Sequence, residues 1–139
     1  MYLLDTPACS EPRIPAPSRG LIQFLEGCAP ARLYTSVIVI GELLKGSARH
    51  PDAIQRSRLQ DWVYGDVIPS FGDRILSVSH EVAERWGILC GEAMRRGETL
   101  PAMDSLIAAT ALVHGLTVVT RNEADFRRCG VDVRNPWAE

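Results

Sequence analysis

At 139 residues, with 46% hydrophobic and 23% charged side chains, the chain is sized for one globular domain spanning residues 1–139 and is too short for two separate cores. That composition excludes disorder, the absence of any run near ~18–20 apolar residues excludes a membrane span, and a net charge of −2 speaks against a broad nucleic-acid face, though not a local one. The opening MYLLDTPACSE has neither the basic start nor the apolar run of a signal peptide, so a cytoplasmic protein is expected.

Tyr2-Leu3-Leu4 reads as a short buried strand ending in Asp5. Pro7, Pro12, Pro15 and Pro17 then predict a stiff loop without regular structure. Ser18 to Glu26 predicts a helix with Leu21, Ile22 and Leu25 on one face and Gly27 as its stop. Leu33 to Thr35 reads as a second strand, and Ser36 as the N-cap of a helix from Val37 to Lys45 that Gly46 ends. Ala53 to Tyr64 is amphipathic, with Ile54, Leu59, Trp62 and Val63 against a polar side. Ile75 to Val78 makes a third strand, after which Ser79 caps a long helix to Arg96, followed by Gly97. Pro101 opens another helix, stopped by His114-Gly115. Leu116 to Thr120 is the clearest strand, a helical turn follows at Glu123–Arg128, and a last strand lies near Val131–Arg134. Strands alternating with helices predict an α/β sandwich with a mainly parallel sheet, in which ligands collect beyond the carboxyl ends of the strands. Asp5 and the segment Thr120–Asp125 both fall there.

The chemistry shows as carboxylates in apolar company. Glu42 lies in Val37-Ile-Val-Ile-Gly-Glu42-Leu-Leu, a helix apolar enough on every side to predict that it is largely buried. A buried carboxylate needs an arginine, a proton or a metal. Asp104 repeats the theme within Pro101-Ala-Met-Asp104-Ser-Leu-Ile-Ala-Ala-Thr-Ala, and Asp5 follows an apolar strand directly. Each has a structural explanation too: Asp5 can brace a turn, Asp104 can complement a helix dipole, and Glu42 can pair with an arginine. Together they point to an oxygen-ligand cluster for Mg²⁺, with Mn²⁺ as a substitute.

Other chemistries lack support. Cys9, Cys28, Cys90 and Cys129 have no CxxC spacing and read as buried free thiols. His50, His80 and His114 fall in unrelated contexts, and no HExxH, GxSxG, phosphate-binding loop or GxGxxG occurs. Trp62, Trp86 and Trp137 read as core or interface anchors rather than base-stacking platforms. Lys45 is the only lysine; a compositional bias toward arginine accounts for that as well as phosphate recognition does. A receiver domain also carries an aspartate after a strand, but its acidic pair and late lysine are absent.

Leu3-Leu4-Asp5-Thr6, Ser10-Glu11-Pro12, Ser36-Val37 with Gly41-Glu42-Leu43, Asp104-Ser-Leu-Ile-Ala-Ala-Thr-Ala, His114 through Phe126, and Asn135-Pro-Trp137 together resemble the PIN-domain toxins of the VapC type, in their FitB-like branch. Each motif is weak alone; the ordered set, running from end to end, is specific. The resemblance implies a three-layer α/β/α PIN-like fold and Mg²⁺-dependent endoribonuclease activity as the toxin of a type II toxin–antitoxin pair. It further implies a homodimer and a cognate antitoxin with a ribbon-helix-helix domain, through which alone DNA is contacted. Asp5, Glu42 and Asp104 match the family's metal-binding acids, and the fourth acidic position falls to Asp125, with Asn122 beside it. Thr6 and Thr120 match supporting polar residues.

Arg121, Arg127 and Arg128, near the fourth motif, are candidates for holding RNA phosphates, with a solvated helix face as the plainer explanation. The chain departs from the family at Pro7, where an asparagine is usual. That removes an amide and a backbone N–H beside the metal position, and points to weakened activity or a shifted substrate. The alternative is therefore a catalytically weak or inactive PIN domain that partners a DNA-binding antitoxin in operon autoregulation. The apolar excess of Leu21–Leu25 and Val37–Leu44 predicts surfaces for dimerisation and for an antitoxin tail.

Overall fold

A computed structural model describes residues 1–139. The strands are β1 (Tyr2–Leu4), β2 (Leu33–Ser36), β3 (Ile75–Leu76), β4 (Thr117–Val119) and β5 (Val133–Arg134). They form one parallel sheet in the order β3-β2-β1-β4-β5, with Leu3 opposite both Tyr34 and Val118. The helices are α1 (Thr6–Ser10), α2 (Arg19–Glu26), α3 (Val37–Ala48), α4 (Ala53–Trp62), α5 (Ile68–Phe71), α6 (His80–Arg95), α7 (Ala102–His114) and α8 (Glu123–Arg128). None is long and apolar enough to cross a membrane.

Successive strand residues face opposite sides of a sheet, and the core divides accordingly. Leu3 and Val118 join Val39, Leu43, Ile107, Ala108 and Phe126 in a layer with α3, α7 and α8. Leu4 and Val119 point the other way, against Ala8 of α1 and Leu21 of α2. The result is the expected α/β/α arrangement around a small parallel sheet. The order reverses at β1: the chain proceeds from β1 through β2 to β3 on one side, then returns to place β4 on the other. The crevice beyond the ends of β1 and β4 is thus the place where such a sheet accepts a ligand.

Several elements differ from expectation. The proline-rich stretch after Asp5 is not a loop: it forms α1 and a 3-10 turn at Glu11–Arg13. Pro7 occupies the second position of α1, where its missing N–H has no intrahelical partner to lose; the first such bond runs from Cys9 N to Asp5 O at 3.1 Å. Gly46 does not stop α3, which continues to Ala48 with Arg49 at its cap. Nor is α3 largely buried. Only Val39, Leu43 and Ser47 are buried, Glu42 is half-buried and Val37 is 41% exposed.

Ile54 does not join the apolar side of α4, being 62% exposed, and a π-helical turn at Val63–Val67 leads on to α5. The third and fifth strands are short, Ile75–Leu76 and Val133–Arg134. The helix stops at Gly97 and Gly115 hold, both with positive φ.

The C-terminal turn Pro136–Ala138 packs on α2 at unusually close range: a Cβ on Gly20 would lie 2.1 Å from the Pro136 carbonyl oxygen. Glu11 fastens the same corner. Its carboxylate accepts from Ser18 N at 2.8 Å and from the Trp137 indole N–H at 3.0 Å, and pairs with Arg121 at 3.3 Å. The four cysteines are free, Cys129 buried and the others half-buried. Burial pushes the Cys9 thiol up to about 12, so it is no nucleophile at neutral pH.

Candidate active site

Asp5 stands where β1 ends and α1 begins. Its Oδ1 accepts from Ala8 N at 3.0 Å, making it the N-cap of α1, and only 4% of the residue is exposed. Burial raises its pKa from 3.8 to about 6; bonds from Thr120 and Ala8 oppose the rise, and the charges of Asp104 and Glu42 add to it. Thr120, buried at the end of β4, also accepts from Asn122 N at 2.9 Å. The two strands flanking the crevice thus contribute a carboxylate and the hydroxyl that holds it.

Ser36 starts α3 by capping Val39 N at 3.3 Å, which sets Glu42 in the second turn of the helix. The Glu42 Oε1 accepts from Thr6 Oγ1 at 2.5 Å, so Thr6 fixes it against α1. Asp104 lies in the first turn of α7 and is half-buried; burial raises its pKa, with the charges of Glu42 and Asp125 adding to the effect and the Asn122 amide opposing it. None of Asp5, Glu42 and Asp104 has an ion-pair partner.

The fourth motif joins two acids through an amide. Asn122 holds the N-cap position of α8 without capping it. Its amide N–H₂ instead donates to Asp104 Oδ2 at 3.2 Å and to Asp125 Oδ2 at 2.7 Å, bridging two acids from different helices. The Asn122 bond and the Arg128 guanidinium hold Asp125 below the usual carboxylate range. Arg121, Arg127 and Arg128 are all paired, with Glu11, Glu123 and Asp125 respectively, and Arg121 also lies 5.2 Å over the Trp137 ring. Sequence reasoning missed the Asn122 bridge, because the local rule for asparagine before a helix is capping.

The donor set suits a hard divalent cation: carboxylate oxygens without lysine or arginine partners, two of them with pKa values that a cation would bring down. It is not a closed shell, since no three Asp, Glu, His or Cys side chains converge to hold an ion by themselves.

In the metal-free protein the Asp5 carboxylate disfavours folding. Its folded pKa exceeds its unfolded one, so its favourable contribution is complete below about pH 4 and is lost as pH rises through about 6. Relative to Asp5→Asn, which keeps the helix cap, wild type in EDTA should lose stability across that window, by at most about 3 kcal/mol. Parallel denaturant melts between about pH 4 and 7 check this; difference curves that stay flat would refute it.

Comparison with known proteins agrees with this fold. The PIN domain model matches residues 2–131. The chain belongs to the PIN-domain family, in its VapC/FitB toxin branch. It is 34% identical over 137 residues to Toxin FitB of Neisseria gonorrhoeae, covering 99% of each chain. It is 32% identical to VapC ribonuclease Y4jK of Sinorhizobium fredii, covering 99% of this chain and 98% of that one. Among solved structures, FitAcB from Neisseria gonorrhoeae superimposes with a TM-score of 0.93 at 34% identity, with both chains fully covered. A FitAB complex bound to an IR36 DNA fragment gives 0.90 at 33% identity, covering 99% and 96% of the two chains.

Proposed function

We propose that this PIN domain, one unit over residues 1–139, is a divalent-metal-dependent endoribonuclease and the toxin of a type II toxin–antitoxin pair. The observation that carries the reading is the set of unpaired carboxylates Asp5, Glu42 and Asp104 at the sheet's switch point. These three would hold the cation, Mg²⁺ or in its place Mn²⁺, leaving positions for water and substrate oxygen. When bound, the cation supplies Lewis acidity toward the scissile phosphate. Thr6 keeps Glu42 turned toward the crevice, Thr120 and Ala8 N hold Asp5, and Asn122 holds Asp104 and Asp125. Asp125 acts as the fourth acid by orienting its neighbours, since its own charge is shared with Arg128. By likeness to FitAB, a cognate antitoxin supplies the DNA contact, and the exposed Val37 edge of α3 offers apolar surface for that tail or for a second copy.

The second reading, a weak or inactive PIN domain that serves operon autoregulation, is favoured by one observation: the acids do not form a closed metal shell. An RNase assay separates the two. Cleavage should require Mg²⁺, stop with EDTA and be absent from Asp5→Ala. Asp125→Asn should slow it at least ~10-fold with little change in melting, as for loss of a group that orients a ligand. Purified wild type that cuts no RNA in Mg²⁺ or Mn²⁺ would leave the autoregulatory reading.

A further inference from the structure

Positions 42, 45 and 46 of α3 and the cap position 49 recur at helical spacing and share one face. Glu42, Lys45, Gly46 and Arg49 line a polar cleft there with Thr6. An adjoining cleft adds Arg13 and Trp62 beside Glu42 and Arg49. The charges here are unspent. Arg121, Arg127 and Arg128 each have a carboxylate partner, whereas Arg13, Lys45 and Arg49 have none. Arg13 lies 5.0 Å over the Trp62 ring, which steadies the plane of its guanidinium. Gly46 lowers the floor of the first cleft. A glycine weakens a helix interior relative to alanine, yet a Cβ at this position would meet nothing within 4 Å. With no side chain there, the helix backbone at Gly46 lies open to the cleft it lines.

We propose that Arg13, Lys45 and Arg49 form the track that holds the RNA backbone on the Glu42 side of the crevice, with the bare backbone of Gly46 as its floor. The proposal rests on the endoribonuclease reading above. A phosphodiester chain fits better than an acidic peptide, because its charge repeats at every nucleotide and so matches three cations spread along two adjoining clefts. Lys45 also sits in the last turn of α3 and Arg49 at its C-cap, where positive charge complements the helix dipole. A purely structural role of that kind would show in melting and not in RNA affinity.

The test uses a fluorescent, mixed-sequence single-stranded RNA and Asp104→Asn protein, titrated in Mg²⁺ over a salt series. Adding Lys45→Met and Arg49→Met should weaken binding at least ~10-fold and flatten the plot of log affinity against log salt by about 0.7 per lost contact, with the melting curve retained. Gly46→Leu, which keeps every charge, should also weaken binding without lowering the melting temperature. Arg85→Met, on the exposed part of α6, should change neither. Unchanged affinity and slope in the Lys45/Arg49 variant would overturn the track. So would a loss that falls instead on Arg127→Met and Arg128→Met, or one confined to binding of the antitoxin. If wild type cuts RNA and Lys45→Met/Arg49→Met cuts and binds equally well, the track fails and the nuclease reading stands. If these residues are needed for RNA binding but wild type never cuts, the reverse holds.

Discussion

Asp104→Asn should reduce RNA cleavage by roughly 100-fold or more, beyond the range seen when a group behind a metal ligand is lost, while leaving the fold intact. The substitution keeps the side chain's shape, and its Oδ1 still accepts from the Asn122 amide that now lies 3.2 Å from Asp104. What disappears is the negative charge that a hard cation requires. The same change removes repulsion from Glu42 and Asp125, both of which raise the Asp104 pKa. The metal-free variant should therefore melt at or above the wild-type temperature, and Mg²⁺ should raise its melting temperature less than it raises that of wild type. Cleavage at the wild-type rate by protein free of contaminating nuclease would remove Asp104 from the ligand set. A large fall in melting temperature would instead make it a structural residue.

Gly20→Ala should be among the most destabilising single-methyl additions in the molecule. The new Cβ would stand 2.1 Å from the Pro136 carbonyl oxygen and 3.2 Å from that of Glu139, and both obstacles are backbone, which cannot swing aside as a side chain would. Overpacking of this kind costs about 1–3 kcal/mol. Relief requires the turn Pro136–Ala138 to lift from α2, which strains the Trp137–Glu11 bonds and the Arg121–Glu11 pair as well. Quenching of tryptophan fluorescence by acrylamide should rise along with the loss of stability, because Trp137 becomes accessible. Unchanged melting and quenching in Gly20→Ala would mean that the C-terminal turn docks more loosely than described.

What was legible in the sequence is what local rules govern. The apolar run before Asp5, the serine caps at Ser36 and Ser79, and the glycine stop at Gly115 each act within a few residues, and each forms as expected. Proline misled, because a breaker inside a helix is harmless at its second position, where Pro7 sits. Gly46 misled in the opposite sense, since a glycine within a helix weakens it without ending it. Glu42 was found on the premise of a buried helix, yet the helix buries one narrow stripe and the carboxylate stands at its margin. At the site, the acids could be picked out one by one, but the Asn122 bridge could not. It joins residues 18 positions apart, and only the packing of α7 against α8 brings them together.

The central position of β1 has a consequence for the order of folding. Tyr2–Leu4 pairs on the crevice side with Thr117–Val119, a segment far along the chain from it. Until the two meet, Asp5 has no Thr120 beside it and Asp104 has no Asn122 to hold it. Pairings so distant along the chain form late and slowly. A partly folded chain in which β1 has not yet met β4 therefore lacks both of these clasps, and the carboxylates of the crevice are set in place only when the sheet closes.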